Sequence, residues 1–478
     1  MEKRRVACII PPFYRLIESK NNRLMPAMHY VAETLYQRGH EMVYINGDYA
    51  DNNFAYADRP SMVANNWLFN ERYKKGHNSF EEIIQILERY QPEFVFIAAG
   101  DVLIPTVEIG SIQSCLYLAK RIKSIDSQIT CIGYGFLLRN LMKDDMEYLD
   151  AVIVGEGEVQ AVEIVELGKR GLLEAKWTKN MDALPTLTDT YLYYKPGKED
   201  WDYIMSMRGC MHQCTFCFQP SFGRGQVSKM SPKRFIDEIK FRIKQFGTMG
   251  FYFLDMIFLP DSSSRTYEML DELIKLKDIY PEFHWWAEAK CNIPSIWNDE
   301  IVEKIKKSGC KHLKFGVEMT NDNMLQSINK GITYDEIRQS FAMVQKYGID
   351  TTAYVLLGLS GYSDEDYKQM WIKFKNLKAS NYVININVPY PGTKFYEQMN
   401  EALEKEGISR IEDFTHTSLV MQKFWGISDE TLKLYFSLEG QKDDSETRKY
   451  IRKIVDKNLY ETDQTIRYVQ KVKRKEGI

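Results

Sequence analysis

The stretch Arg208-Gly-Cys-Met-His-Gln-Cys-Thr-Phe-Cys-Phe218 decides how the rest of the chain is interpreted. Its cysteines, Cys210, Cys214 and Cys217, have the spacing C-x3-C-x2-C, so one loop can turn three thiolates toward a single soft metal centre. Sulfur donors select zinc or iron–sulfur clusters. A structural zinc site needs four ligands, usually in two separate pairs, and no second pair follows at a zinc-ribbon interval.

Three thiolates fit a cubane cluster better, because such a cluster keeps one iron open for a cofactor or substrate. We therefore predict that Cys210, Cys214 and Cys217 bind a [4Fe-4S] cluster. Two alternatives stay open, namely three unrelated buried cysteines or a zinc site completed by His212. We expect His212 to be a non-ligand that faces solvent or tunes the surroundings of the cluster.

The composition is that of a globular protein. A length of 478 residues indicates two or three domains, and 44% hydrophobic residues are ample for a core. The net charge of −3 gives no bulk attraction to nucleic acid or anionic membrane. Eight cysteines, three clustered and five scattered, do not resemble a disulfide framework. The N-terminal sequence is not that of a signal peptide, and no apolar run is long enough to span a bilayer. We expect a cytoplasmic protein.

The first domain is predicted to cover residues 1–175. Strands that alternate with helices predict a parallel sheet covered on both faces. The predicted strands are Val6–Ile10, Glu41–Asn46, Glu93–Ala98, Ile129–Ile132 and Ala151–Val154. Ligands of such sheets bind beyond the carboxyl ends of the strands. Small residues in the loops there let the backbone approach a large ligand, and these residues include Gly100, Gly133, Gly135 and Gly155.

After a linker at 176–200, a second domain is predicted over residues 201–400. Six β-type runs alternate with helices and predict a partial barrel that is open on one side. The runs are Tyr203–Met207, Gly250–Leu254, Phe283–Ala287, His312–Val317, Thr351–Leu356 and Tyr382–Asn387. Catalytic residues of such barrels lie at the carboxyl ends of the strands, and the cysteine loop follows the first strand. Residues 401–478 are predicted to form a helical cap.

The cysteine triplet resembles the motif of radical S-adenosylmethionine (SAM) enzymes. Over residues 1–400 the chain is similar to the branch of that family with an N-terminal cobalamin-binding-type domain. The resemblance implies a Rossmann-like domain, a partial (β/α)6 barrel, and the cofactors [4Fe-4S], SAM and cobalamin. In that family the open iron chelates SAM, and electron transfer then releases a 5′-deoxyadenosyl radical. An external electron donor such as flavodoxin or ferredoxin is implied as a partner.

The resemblance also implies roles for single residues of the barrel. Phe218 occupies the position of an adenine contact, and Asp255 that of a group near the amino end of SAM. Glu288 and Lys290 follow the third strand. Many relatives have an arginine near Lys290 that holds the SAM carboxylate. A lysine would bind that carboxylate more weakly, because its ammonium cannot form the bidentate pair of hydrogen bonds that an arginine forms. Glu318 stands where the family places a partner of the ribose hydroxyls.

Gly155-Glu-Gly-Glu158 resembles the turn that closes the cobalamin domain, so Gly155 and Glu156 are predicted cofactor contacts. The Asp-x-His-x-x-Gly motif of other cobalamin proteins is absent. Many members of this branch also lack it, so its absence decides nothing. We expect His29 to be a packed or surface residue. The alternative for this domain is a Rossmann-like unit that only packs on the barrel or binds another ligand.

Three functions are compatible with these features. The first is a cobalamin-dependent radical SAM methyltransferase acting on an unactivated carbon of a biosynthetic small molecule. The second is a ring formation, ring contraction or other carbon-skeleton reaction on the same scaffold without net methyl transfer. The third is a non-enzymatic iron–sulfur electron carrier, which would not need a full barrel. Cys291 and Cys310 are expected to be core residues, with Cys291 as an alternative radical quencher. The sequence does not name the substrate.

Overall fold

A computed structural model describes residues 2–51, 54, 69, 72–99, 109–136, 138, 147–174, 178–197, 201–217, 225–408 and 419–438. The chain divides into two compact units. The first comprises Met1–Ala57, Leu68–Met211 and Ser221–Met256, and the second Asp58–Trp67, His212–Pro220 and Ile257–Ile478. No helix within the described ranges is long and apolar enough to cross a membrane.

The first unit contains a six-stranded parallel sheet. Its strands are β1 (Arg5–Ile10), β2 (Glu41–Asn46), β3 (Phe94–Ala98), β4 (Thr130–Tyr134), β5 (Ala151–Val154) and β6 (Gly171–Glu174), in the order β2-β1-β3-β4-β5-β6. The five predicted strands are confirmed. The sixth, β6, was not predicted, because its four residues are largely exposed and lack the buried apolar pattern that identifies a strand.

Helices connect these strands. They are α1 (Pro26–Gln37), α2 (Asn78–Tyr90), α3 (Ile109–Ile125) and α4 (Glu158–Leu167). Proline at the first position starts α1, and the His77 side chain accepts a hydrogen bond from the Ser79 N–H to cap α2. Gly168, with φ of 69°, ends α4 in the left-handed conformation that glycine adopts without strain.

The predicted strand Tyr203–Met207 is wrong as a single element. The structure has β7 (Asp202–Ile204) and then β8 (Met207–Gly209), which pairs antiparallel with β9 (Val227–Lys229). The strand breaks because the Asp255 carboxylate accepts hydrogen bonds from the N–H groups of Ser206 and Met207. The first unit continues with α5 (Pro232–Phe246) and β10 (Gly250–Phe253), and β10 pairs in parallel with β7.

Strands β11 (His284–Ala289), β12 (Cys310–Glu318), β13 (Asp350–Leu357) and β14 (Asn381–Ile386) pair in parallel with their neighbours in the second unit. The second sheet has the order β14-β13-β12-β11-β10-β7, which confirms the predicted α/β class and its six β/α repeats. The helices of this unit are α6 (Ser264–Ile279), α7 (Ile293–Ile296), α8 (Asp299–Lys307), α9 (Asp322–Ser327), α10 (Tyr334–Lys346), α11 (Asp364–Asn376), α12 (Lys394–Lys405), α13 (Leu419–Phe424) and α14 (Asp429–Phe436).

The last helices confirm a helical C-terminal region within the part of the chain that is described. Trp425, which follows α13, is 8% exposed, and its indole N–H donates to the carbonyl of Asn387 across 2.7 Å. Gly358 lies against the same ring; its φ is 107°, and a side chain there would overlap the indole. Trp425 therefore packs on the turns that follow β13 and β14.

Candidate functional site

The three cysteines lie on the loop between β8 and β9 and differ from the other five in exposure. Cys210, Cys214 and Cys217 are half-buried, whereas the other five cysteines are at most 1% exposed. All eight are thiols rather than halves of a disulfide. Burial raises the pKa of the Cys291 thiol well above its usual range, which opposes formation of a thiolate. Exposure therefore separates the three cysteines of the loop from five core cysteines.

The donor set fits an iron–sulfur cluster by its chemistry, because it consists of three accessible sulfurs on one loop. Over the described ranges, no three His, Cys, Asp or Glu side chains are grouped so that they could hold one metal ion. The assignment of the three cysteines as ligands therefore remains a prediction. His212 lies within the loop, and its Nδ1 is 3.1 Å from Nζ of Lys290. That contact occupies one ring nitrogen of His212.

Asp255 follows β10 and is 1% exposed. Its Oδ1 accepts from the N–H of Ser206 at 2.6 Å and from the N–H of Met207 at 3.0 Å, and its Oδ2 accepts from the Ser206 hydroxyl. The structure thus places this predicted SAM contact where it fixes the backbone that leads into the cysteine loop. Sequence reasoning missed Ser206, because nothing in its local pattern distinguishes it from an ordinary serine.

Three further predicted residues lie at the ends of β11 and β12 in the second unit. Glu288 is half-buried in β11 and its Oε1 accepts from the Tyr354 hydroxyl at 3.0 Å. Lys290 directly follows β11, and Glu318 is the last residue of β12. Because neighbouring parallel strands end at one edge of a sheet, these charged groups share the carboxyl edge where a barrel carries its chemistry.

Glu318 has a partner that the sequence did not reveal. Nζ of Lys330 is 2.7 Å from Oε1 of Glu318, and both side chains are nearly buried. Burial lowers the pKa of Lys330, but the charges of Glu318 and Cys214 raise it by more, so the ammonium form is favoured. The same Nζ lies 5.7 Å from the ring centre of Phe216. Lys330 therefore links Glu318 to the cysteine loop.

Gly316 makes room for this ion pair. A Cβ at position 316 would lie 2.9 Å from both Oε1 of Glu318 and Nζ of Lys330. The register of β12 against β13 shifts between Gly316 and Glu318, and Glu318 has a φ of 64°. Positive φ is uncommon outside glycine, so the bulge that aims this carboxylate carries backbone strain.

Two of the small residues predicted to face a ligand of the first unit, Gly133 and Gly135, lie against other protein atoms. Gly133 lies inside β4 rather than in the following loop, a correction of the prediction, and a Cβ there would crowd Leu138. Gly135 follows the strand, and a Cβ there would overlap the carbonyl oxygen of Ala99. Gly155 has a φ of 111°, which suits glycine. Two other predicted cofactor contacts, Gly100 and Phe218, lie outside the residues that the structure describes.

Glu156 belongs to a buried charge network that the sequence did not predict. Its carboxylate accepts from the N–H of Thr178 at 2.6 Å and lies 3.5 Å from Nη1 of Arg208. Nη2 of Arg208 donates to Oε1 of Glu158 at 2.7 Å, and the guanidinium lies 5.3 Å from the ring centre of Tyr30. The turn after β5 is therefore connected to the residue two positions before Cys210.

A family model described as the radical SAM superfamily matches residues 204–370. The chain is 24% identical over 346 residues to an uncharacterised methyltransferase of Pyrococcus horikoshii, covering 67% of this chain and 72% of that protein. It is 22% identical to the anaerobic magnesium-protoporphyrin IX monomethyl ester cyclase of Cereibacter sphaeroides, over 68% of this chain and 56% of that one.

Among solved structures, the fold is similar to that of TsrM from Kitasatospora setae, a radical S-adenosylmethionine methyltransferase solved with cobalamin and a [4Fe-4S] cluster. The TM-score is 0.58 at 15% sequence identity, and the match covers 84% of this chain and 76% of the other. At this identity the likeness supports the two-sheet architecture.

Proposed function

We propose that this chain is a cobalamin-dependent radical SAM methyltransferase acting on a carbon of a small molecule, and the match of residues 204–370 to the radical SAM superfamily model supports this. The observation that carries the proposal is the position of Lys330, whose Nζ is 2.7 Å from Oε1 of Glu318 at the end of β12 and 5.7 Å from the ring centre of Phe216 in the cysteine loop. A metal-binding loop joined to a set of ionic groups at the carboxyl edge of a barrel is what a site for a charged cofactor requires.

In this proposal Cys210, Cys214 and Cys217 hold the cluster. A bound [4Fe-4S] cluster would supply one-electron reduction of SAM, and a bound corrinoid would supply methyl-transfer chemistry. The chain's own contribution is to position both. Asp255 helps to position the cluster indirectly, because it accepts hydrogen bonds from the N–H groups of Ser206 and Met207 and so fixes the backbone that leads into the loop.

Five residues are assigned to SAM. Glu318, held by Lys330, is assigned to the ribose hydroxyls, since a fixed carboxylate accepts hydrogen bonds from a diol. Lys290 is assigned to the SAM carboxylate, and its contact with His212 keeps the ammonium near the cysteine loop. Glu288 and Asp255 are the acidic groups assigned to the amino end. Phe218 is assigned to the adenine by resemblance alone.

The corrinoid is assigned to the carboxyl edge of the first sheet, within a domain that we place at residues 1–175. Gly100, Gly133, Gly135, Gly155 and Glu156 are the residues assigned to it from the resemblance. The small residues keep backbone close to that edge. We keep the linker at 176–200, the barrel at 201–400 and the cap at 401–478 as proposed boundaries. A cytoplasmic location and an external electron donor belong to the same proposal.

A second function has support of its own. One relative is named as a cyclase, so a carbon-skeleton reaction without net methyl transfer is the alternative. Both functions use the same cysteine loop and strand-end residues, and they differ in the product.

The experiment is an anaerobic incubation of the protein, purified with iron and cobalamin supplied, with SAM, a reductant and candidate substrates. Methyl transfer predicts a product heavier by about one methylene, together with 5′-deoxyadenosine and S-adenosylhomocysteine in equal amounts. Product without S-adenosylhomocysteine would exclude methyl transfer and favour the cyclase-type alternative. Intact SAM under all conditions would exclude both.

A further inference from the structure

The middle of the cysteine loop is fixed by main-chain hydrogen bonds to two distant segments of the second unit. The N–H of Thr215 donates to the carbonyl of Ile328 at 3.0 Å, and the carbonyl of Thr215 accepts from the N–H of Phe395 at 3.0 Å. Ile328 directly follows α9, and Phe395 lies in the first turn of α12. Both backbone groups of Thr215 are therefore used to hold the loop, and neither bond involves a sulfur atom.

A third hydrogen bond reaches the loop from a side chain. Nδ2 of Asn329 donates to the carbonyl of Gln213 at 2.8 Å, across 116 residues of sequence. Gln213 directly precedes Cys214, and Thr215 directly follows it. The neighbouring residues Ile328 and Asn329 thus hold the backbone of the loop on both sides of Cys214.

The backbone of Asn329 is itself fixed by the end of α9, which forms a Schellman motif. The N–H of Lys330 donates to the carbonyl of Leu325 at 2.9 Å, and this bond closes the motif. The N–H of Asn329 donates to the carbonyl of Gln326, also at 2.9 Å. Asn329 takes the left-handed position of the motif, with a φ of 50°. Glycine is the usual residue there, so what asparagine adds at this position is its amide.

We propose that Asn329 is a positioning residue that holds the peptide before Cys214, so that this cysteine is presented to the iron–sulfur cluster. The proposal rests on the proposed function, because it takes Cys214 as a cluster ligand. Asn329 acts through the backbone of Gln213. Hydrogen bonds on both sides of a ligand residue restrict the dihedral angles that aim its side chain, and a preorganised ligand binds without the entropy cost of ordering the loop.

Helix termination alone predicts a different result from positioning. If Asn329 only ends α9, glycine in its place should leave the loop unchanged and keep or raise the stability of the protein, because glycine adopts a positive φ without strain. If Asn329 positions the loop, the same glycine should loosen the loop while the protein as a whole stays stable. The substitution that suits the helix end best therefore separates the two roles.

The test compares Asn329→Gly with the matched control Lys378→Gly. Lys378 follows α11, is exposed and has the same φ of 50°. Its backbone hydrogen bonds are to Gln345 and Lys375, which lie outside the cysteine loop. The control therefore gives the same relief of backbone strain without a change at the loop. Urea unfolding of both variants measures global stability.

Two readouts report on the loop. The first is the rate at which the reconstituted full-length protein loses iron to the chelator ferrozine under anaerobic conditions. The second is the rate at which iodoacetamide alkylates Cys214 in the metal-free full-length protein, followed by peptide mass mapping, because a half-buried thiol reacts through local opening. We expect both rates to rise roughly fivefold in Asn329→Gly, the factor that one ordinary hydrogen bond gives, and to stay within about twofold in Lys378→Gly.

A second variant covers the case in which Asn329→Gly does not fold. Asn329→Asp keeps the shape of the side chain and its tolerance for positive φ, but a carboxylate cannot donate to the Gln213 carbonyl, so both rates should rise at least as much. Unchanged rates in a folded variant, or a rise matched by an equal loss of unfolding free energy, would overturn the proposal. Neither readout depends on turnover. Failure of SAM cleavage would therefore count against the proposed function and leave this result standing.

Discussion

Arg208 and Glu158 form a buried ion pair across 50 residues of sequence, with Nη2 of Arg208 donating to Oε1 of Glu158 at 2.7 Å. Their side chains are 1% and 8% exposed. Glu158 is the first residue of α4, and Arg208 precedes Cys210 by two positions. The turn at residues 155–158, which resembles a cofactor motif, thus also supplies the carboxylate that neutralises Arg208 just before the cysteine loop.

Replacement of Arg208 by Met should destabilise the protein strongly. The change leaves the Glu158 carboxylate buried without its partner, which typically costs about 3 kcal/mol or more. The control is Arg38→Met, which removes an ion pair to Glu166 whose arginine is 38% exposed and which should cost less than about 1 kcal/mol. Urea unfolding of both variants measures the difference. Equal losses of unfolding free energy in the two variants would show that the buried ion pair stabilises the protein no more than the exposed one.

Replacement of Cys214 by Ala should abolish binding of the iron–sulfur cluster. The half-buried thiol is one of only three accessible sulfurs among the eight cysteines. The matched change Cys291→Ala removes a core thiol and should keep the iron content of the unaltered protein. Iron analysis and the visible spectrum after anaerobic reconstitution distinguish the two. Full iron content in Cys214→Ala would refute the ligand assignment.

Glu318→Gln and Lys330→Met should each weaken SAM binding, and their effects should not add. The two side chains form one buried pair at 2.7 Å, so removing either disturbs the other. We expect a coupling of about 1–3 kcal/mol in a double-mutant cycle. Calorimetric titration with S-adenosylhomocysteine, which needs no turnover, provides the affinities. Strictly additive effects would mean that the pair does not act as a unit at the site.

Gly316→Ala should reproduce part of that loss without removing any charge. The added methyl group would come within 2.9 Å of both members of the Glu318–Lys330 pair, so at least one of them must move. The same titration should show an affinity roughly tenfold lower, with a fold that circular dichroism finds intact. Gly361→Ala is not a suitable control, because its φ of 85° adds strain of its own. Gly197→Ala is better, since nothing lies within 4 Å of the added atom.

His29 should contribute a loss of stability as the solution is acidified below about pH 6.5. Burial lowers its pKa to about 3, with the charge of Arg242 acting in the same direction and the contact with the Thr188 carbonyl opposing both. The unfolded chain takes up a proton near pH 6.5 and the folded one does not until about pH 3. The folded state therefore loses up to about 1.4 kcal/mol per pH unit between these values.

His29→Gln removes this titration, so the variant should lose less stability than the unaltered protein as the pH falls from 6.5 to 4. Asp48 titrates in the same range with the opposite sign, because burial raises its pKa to about 7. The difference between the variant and the unaltered protein isolates His29 from Asp48. If the unfolding free energies of His29→Gln and of the unaltered protein changed equally between pH 6.5 and 4, the prediction would be contradicted.

The sequence predicted the strands well where a buried strand appears as a short apolar run. Runs such as Val6–Ile10 and Gly250–Leu254 are apolar and short, and they became β1 and β10 with bounds shifted by one residue. It failed where a distant side chain decides the local structure. The break after Ile204 depends on Asp255, which lies 49 residues from Ser206. No local pattern at Ser206 records that contact.

The residues of the candidate site divide in the same way, into those with a local sequence signal and those whose partners lie far away in the sequence. The cysteine spacing is local, and so the loop was identified. The partner of Glu318 was not, because Lys330 reaches it from the segment between α9 and α10. Glu156 was predicted to be a cofactor contact by its motif, but the motif gave no sign of its neighbours Arg208 and Thr178.

The packing of Trp425 limits where the barrel can be cut for study in isolation. A fragment that stops near residue 400 would uncover the carbonyl of Asn387 and the glycine surface at Gly358. The turns after β13 and β14 would then be exposed to water and would favour self-association. Poor solubility of such a fragment would therefore say nothing about its chemistry. Expression boundaries should therefore fall beyond residue 438.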